Sequence, residues 1–375
     1  MNKNLFFFEL QKIFIRKNIF LFLIPFVVIL IFLFVVSNQD ENSKQMLSTT
    51  LNSELDSLTQ AHNNLPEIPE TQDIKENIMI QISIKEKQAQ AFETGNWKEY
   101  LKFQNEQQEL VLLGVENGNI VTSSTNEEIE QQISLNNEFL TRNVQPMEFS
   151  GNTKGFYFLK YVLDIFYGII GILILGIFIG NIYTKEKEQS TIKFLLAQSF
   201  SKINIFSMKF LLSIIFGVAM ISTFIVFIFL SGTFVFGIGD IQYPVLLQQE
   251  LSYKIVNLIE YLSMSTLLFL FLILFTISFI FLLSVTIDNS MLVLIVVIIT
   301  YYIFGYVIPS KEVMNSLIHL IPFTYINVAD VIEGSLAVQT KNFGISVKNG
   351  ISASILSSLF LTVISVLILK TKKLS

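Results

Sequence analysis

Thirty consecutive residues between Lys209 and Asp240 carry no charge, and neither do those between Glu260 and Asp288. About 20 apolar residues suffice for a helix to cross the hydrocarbon core of a bilayer. Two such runs restrict the chain to folds in which helices are solvated by lipid. Composition agrees. Charged residues are 15% of the 375, against about 25% in soluble domains. Hydrophobic residues are 52% and mean hydropathy is +0.59. Too few polar groups exist to cover the apolar surface in water, so an integral membrane protein is expected.

The residue inventory removes several chemistries. There is no Cys, which excludes disulfide scaffolds, thiolate metal sites and Cys nucleophiles. The only histidines, His62 and His319, are far apart, and no HExxH or HxxEH stretch exists; zinc membrane proteases of those types are excluded. No GxxxxGK[ST] occurs, so the chain carries no P-loop ATPase of its own. The net charge of −5 gives no reason to expect a nucleic-acid partner. Abundant Phe, Ile, Asn and Lys point to an AT-rich genome, such as that of a low-GC Gram-positive bacterium.

The fold expected is an all-α membrane protein with six spans, at 19–36, 161–183, 210–236, 261–286, 291–308 and 351–369. The first contains Pro25. Its run is too long for a signal peptide, and no small-x-small site follows at Ser37–Asn38–Gln39, so it reads as an uncleaved anchor. The second contains one acid, Asp164. Thr286 to Ser290 leaves room only for a tight turn between spans four and five. Residues 1–18 form a basic amphipathic stretch in which Phe6, Leu10, Ile13 and Phe14 share a helical face, as an interfacial helix requires.

Orientation follows from the basic residues beside the spans. Lys3, Lys12, Arg16 and Lys17 precede the first span. Lys185, Lys187, Lys193, Lys202 and Lys209 lie in 184–209, and Lys370, Lys372 and Lys373 lie in the 370–375 tail. All three segments fall on one side of a six-span topology. That side is expected to be the cytoplasm and to hold both termini. Residues 37–160 then lie outside, with 19 acids and 9 bases. This segment reads as helical. Helices are expected over Asp73–Phe92, over Trp97–Leu113 between Asn96 as cap and Gly114 as stop, and over Asn126 to about Leu140 after the capping-box pair Thr125 and Glu128. Leu65–Pro69 reads as a loop. The segment is either a substrate-gating or sensing domain or a solvated cap.

Between spans two and three, Ser190 or Thr191 can cap a short helix with Ile192, Leu195 and Leu196 on one face. Glu188, Thr191, Leu195, Leu196, Ser201, Ile205 and Lys209 fall in a register that resembles the pattern of ABC-2 type transporter permeases, roughly E-x-G-T, L-L-x-x-P-x-S-R, then Ile and Lys. Ser190, Ser199 and Lys202 replace the glycine, proline and arginine of that pattern. After span five, Pro322–Phe323–Thr324–Tyr325 resembles the L-P-x-x-Y element of the same family, where 309–350 would form short re-entrant helices on the outer side. The resemblance covers nearly the whole chain except the 37–160 insert. It implies a pore-forming subunit that pairs with a second permease subunit and docks a separate ABC ATPase. ATP would bind to that partner, so the chain needs no cofactor of its own. The 186–198 helix would sit in a cleft of the ATPase, with Glu188, Thr191, Phe194 and Leu195 as coupling contacts.

Asp164 lies one turn from Lys160, so it either pairs with that lysine or lines a polar pathway. Gly168, Gly171, Gly176 and Gly180 permit close helix packing, against a dimer partner or within the bundle. Asp288 reads as a turn-former. His319 has no second ligand at useful spacing. The leading functional expectation is export of a peptide, drug or other amphipath. The alternative is a membrane-anchored sensor or immunity protein that binds a peptide and transports nothing. A membrane enzyme is disfavoured, because Asp164 alone cannot supply acid, base and nucleophile.

Overall fold

From Ser37 to Asn64 the chain contains neither Pro nor Gly, so nothing local stops a helix that leaves the apolar run. In the computed structural model α1 indeed runs unbroken over Ile19–Asn64. Its 46 residues reach about 70 Å at 1.5 Å per residue. The expected boundary at residue 36 is therefore not a structural break: one helix carries both the expected first span and a polar stalk. It ends just before Leu65–Pro66, where proline disfavours helix for the residue before it. The structure describes residues 19–68, 71–116, 124–188, 201–250, 252–309 and 316–371. The expected interfacial helix at 1–18 and most of the 370–375 tail lie outside them.

Three helices pack in sequence onto the stalk: α2 (Gln72–Glu93), α3 (Trp97–Glu116) and α4 (Asn126–Arg142). Gly95, at φ +71°, turns α2 into α3. Asn96 N–H bonds Ala91 O and Gly95 N–H bonds Phe92 O, the paired closure of a Schellman cap. Asn96 Oδ1 then accepts from Glu99 N–H at 3.4 Å, as a cap of α3. Gly114 does not stop α3, which continues to Glu116. Without a left-handed turn, a helical glycine costs only about 1 kcal/mol. At α4 the capping box forms in both directions, Glu128 N–H to Thr125 Oγ1 and Thr125 N–H to Glu128 Oε2. The core is small (Leu51, Ala91, Tyr100, Leu101, Phe139 and Val144). A buried amide relay supplements it: Asn136 Nδ2 donates to Asn105 Oδ1 at 2.7 Å, and Asn105 Nδ2 to Asn137 Oδ1 at 2.9 Å.

A single turn, α5 (Met147–Ser150), leads to α6 (Gly155–Phe166) and α7 (Ile169–Glu188). Asp40 of the stalk fastens this entry: it accepts from Asn152 N at 2.8 Å and Asn152 Nδ2 at 3.1 Å. The expected second span, 161–183, is not one helix. α6 and α7 meet at 71°. Tyr167 leaves helical geometry with ψ 49°, its carbonyl accepts from Val328 N–H, and its hydroxyl meets Thr266 Oγ1 at 3.1 Å. Tertiary partners thus replace the helical bonds lost at the bend.

α8 (Lys202–Phe236) is capped by Ser201, so the third helix begins well before residue 210. The fold is helical as expected, with one addition in the connection to the next helix. β1 (Pro244–Gln248) and β2 (Tyr253–Asn257) pair antiparallel, with Val245 opposite Val256 and Leu246 opposite Ile255. Facing β-branched and aliphatic side chains favour a pleated pair. α9 (Leu258–Thr286), α10 (Ser290–Tyr302) continuing into a π turn at Ile303–Val307, and α13 (Val347–Thr371) follow. Short helical turns at Ile318–Leu320 and Pro322–Ile326, then α11 (Val328–Glu333) and α12 (Ser335–Thr340), fill the 309–350 region. α9 is the central helix, buried over most of its length, whereas α8, α10 and α13 leave most of theirs open. It packs along α13, where Thr362 Oγ1 lies 3.5 Å from Ser278 Oγ and the buried Ser354, Ser358 and Ser365 are small side chains of the kind that let helices approach closely in lipid. Four described helices are long and apolar enough to cross a membrane, or five if the bent pair is one span.

Candidate functional site

The stretch expected to carry coupling begins where α7 ends. Glu188 is its last residue and is exposed. Ser290 Oγ donates to Glu188 Oε2 at 3.1 Å. Ser290 opens α10, one residue after Asn289, whose side chain caps that helix by accepting from Met291 and Leu292 N–H. One turn back along α7, Thr184 Oγ1 lies 2.7 Å from Ser284 Oγ of α9, both fully buried. Lys209 of α8 is also buried and donates to the carbonyl of Ile182 at 3.3 Å. This end of α7 is therefore tied to α8, α9 and α10. Thr191, Phe194 and Leu195 lie outside the described residues.

The four glycines of the second span fall inside the bundle. Gly168 sits at the bend. A Cβ on Gly171 would meet Phe166 O at 2.4 Å and Phe269 Cζ at 2.8 Å, so the bend leaves no space for a side chain there. Gly176 and Gly180 face Leu294 of α10, at 3.1 and 3.5 Å from the Cβ each lacks. They form a groove that seats one leucine.

Asp164 pairs with Lys160, Nζ to Oδ2 at 2.7 Å. Two further partners were not legible in the sequence. Glu333 of α11 takes the same ammonium at 3.1 Å, and Tyr261 of α9 donates to Asp164 Oδ1 at 2.7 Å. The ammonium also stands 4.5 Å from the centre of the Tyr261 ring. Only the i, i+4 spacing of Lys160 and Asp164 signalled the cluster; Tyr261 and Glu333 arrive from distant segments. The cluster clamps α6 to α9 and α11, and leaves neither of the charges on α6 free to act as an acid or base. At the other border of the domain, burial pushes the Asp40 carboxyl above its ordinary value, against the lowering effect of its two bonds from Asn152.

The arrangement is one of helices that cross, bend and lock to one another, with a tethered end at Glu188. A family model described as ABC-2 family transporter protein matches residues 8–374. The chain belongs to that family. Comparison with curated proteins and with solved structures returns no match. As an ABC-2 family member the chain is a multi-pass membrane component of a transporter, not an enzyme by itself, and its family implies partnership with an ABC ATPase.

Proposed function

We propose that the chain is the permease subunit of an ABC exporter that moves a peptide, drug or other amphipathic substrate. Six spans place both termini and residues 184–209 in the cytoplasm, and 37–160 outside. Two permease subunits, identical or not, form the pathway, and each docks a separate ATPase that binds ATP. Glu188, Thr191, Phe194 and Leu195 make the coupling contacts. Basic residues beside the spans support this orientation, and the residue usage fits a low-GC Gram-positive source.

The observation that carries this reading is the tether of Glu188 to Ser290. A push from the ATPase on the chain just beyond residue 188 would move α7 directly, and through Ser290 and Ser284 also the turn between α9 and α10. A coupling element needs such contacts, because a ligand shifts a conformation only by contacts that differ between its states. The test is affinity purification of the tagged full chain from native membranes. A stoichiometric P-loop ATPase that is lost in the Thr191→Asp/Leu195→Asp double variant supports the assignment. Recovery of intact chain without an ATPase in several mild detergents sinks it.

A further inference from the structure

α11 turns Glu333 toward Lys160 and Val331 and Ile332 toward a cavity of about 440 Å³. That volume falls in the range of small-molecule sites, on the order of 300–1,000 Å³. The cavity lies between the hairpin tip, α9, the α11–α12 pair and the lead into α13. Leu247, Met264, Ala337 and Phe343 supply apolar wall, while Gln249 and Glu250 stand at the hairpin side.

The walls are set by backbone. Gly334 has φ +83°, and a Cβ there would lie 2.2 Å from the carbonyl oxygen of Gln248. The α11–α12 junction and the hairpin are thus in direct main-chain contact. The far side of the hairpin is held by the helical domain, where Arg142 Nη1 donates to Gln242 O at 3.0 Å and Asn257 Oδ1 at 2.6 Å. The cavity belongs to the fold and does not depend on one side-chain rotamer.

Its chemistry selects among occupants. Among the described residues, Glu250 is the one charged side chain in the lining. The nearest ammonium in sequence, Lys254, is taken by Glu260 at 3.1 Å. A plain acyl chain would leave the hairpin amide and carboxylate unused. An anionic amphipath would be repelled by Glu250, whereas a cation gains from it, since opposite charges attract.

We propose that this cavity is a binding site for an amphipathic organic cation, its apolar body against Met264, Ala337 and Phe343 and its charge toward Glu250. The site goes beyond ATPase coupling, and binding is read on the chain by itself. The experiment is equilibrium dialysis of labelled tetraphenylphosphonium against the purified full chain in nanodiscs of zwitterionic lipid. Labelled tetraphenylborate, the same shape with opposite charge, is dialysed in a separate cell as the control. Saturable binding of one cation per chain is expected, and tetraphenylborate should show no saturable binding. Glu250→Gln should weaken binding about two- to five-fold, the range for a solvent-exposed charge contact. Ala337→Leu, which fills the cavity, and Phe343→Ala, which removes an exposed wall and leaves the core intact, should each weaken it further. Absence of saturable binding, equal saturable binding of tetraphenylborate, or unchanged affinity in both Ala337→Leu and Phe343→Ala would overturn the proposal.

Discussion

Glu188 and Ser290 stand 102 positions apart, yet their side chains meet at 3.1 Å. The contact joins the end of the bent α6–α7 pair to the start of α10. It is exposed, so it adds little to stability. Ser290→Ala should cost under about 1 kcal/mol and leave membrane insertion unchanged. Its expected effect is on coupling: fewer substrate molecules moved per ATP hydrolysed. Glu188→Gln keeps an acceptor oxygen and should retain more transport than Glu188→Ala. Reconstituted vesicles report both rates, and an unchanged ratio in Ser290→Ala would remove the tether from the transmission route.

The clamp at Lys160 behaves differently because it is mostly shielded from water. Its side chain is 18% exposed, Asp164 is 22% and Glu333 is 37%. Lys160→Met leaves two carboxylates facing each other across the clamp. The expected cost is about 2–3 kcal/mol, below the full value for an isolated buried charge. The triple variant Lys160→Met/Asp164→Asn/Glu333→Gln removes those charges together and should recover most of the loss. Thermal unfolding of the detergent-solubilised chain, followed by gel filtration after heating, measures the difference. If the triple variant is no more stable than Lys160→Met, charge burial is not the cause.

The glycines of the second span separate into two kinds. At Gly176 the obstacle to a methyl group is the end of a leucine side chain, Leu294 Cδ2 at 3.1 Å. At Gly171 it is the backbone oxygen of Phe166 at 2.4 Å, which can move only if the bend moves. Gly171→Ala should therefore destabilise by about 3 kcal/mol, the upper end for overpacking, and Gly176→Ala by about 1 kcal/mol. Adding Leu294→Ala should rescue Gly176→Ala and not Gly171→Ala. The same thermal assay decides this, and rescue of both would contradict the backbone origin of the bend.

Local signals explain what could be read ahead of the structure. The helix start at Thr125 was legible because both halves of its capping box are four residues of sequence. The end of α1 was legible because Pro66 acts on its neighbour. The Lys160–Asp164 pair was legible from one turn of helix. By contrast, Gly114 looked like a stop, but a glycine ends a helix only where the chain then turns left-handed, as at Gly95. The strands at 244–257 were missed because each has five residues and is too short for its alternation to stand out between two apolar helices. The bend at Tyr167 was missed because glycines also occur in straight apolar helices, so Gly168 and Gly171 did not by themselves mark a break.

Sequence by itself determined that this chain lies in a membrane, where its apolar runs fall, and the family to which it belongs. Those properties depend on transfer of side chains out of water and on short-range periodicity, which the order of residues contains directly. Tertiary structure decided the bend of the second span, the partners Tyr261 and Glu333 for the Lys160 clamp, the seat of Leu294 against Gly176 and Gly180, and the meeting of Glu188 with Ser290. Each of these joins segments far apart in the chain. In lipid, hydrophobicity does not tell one apolar helix face from another, so the choice among faces rests on close packing and on satisfying the few polar groups, and both exist only once the helices are assembled.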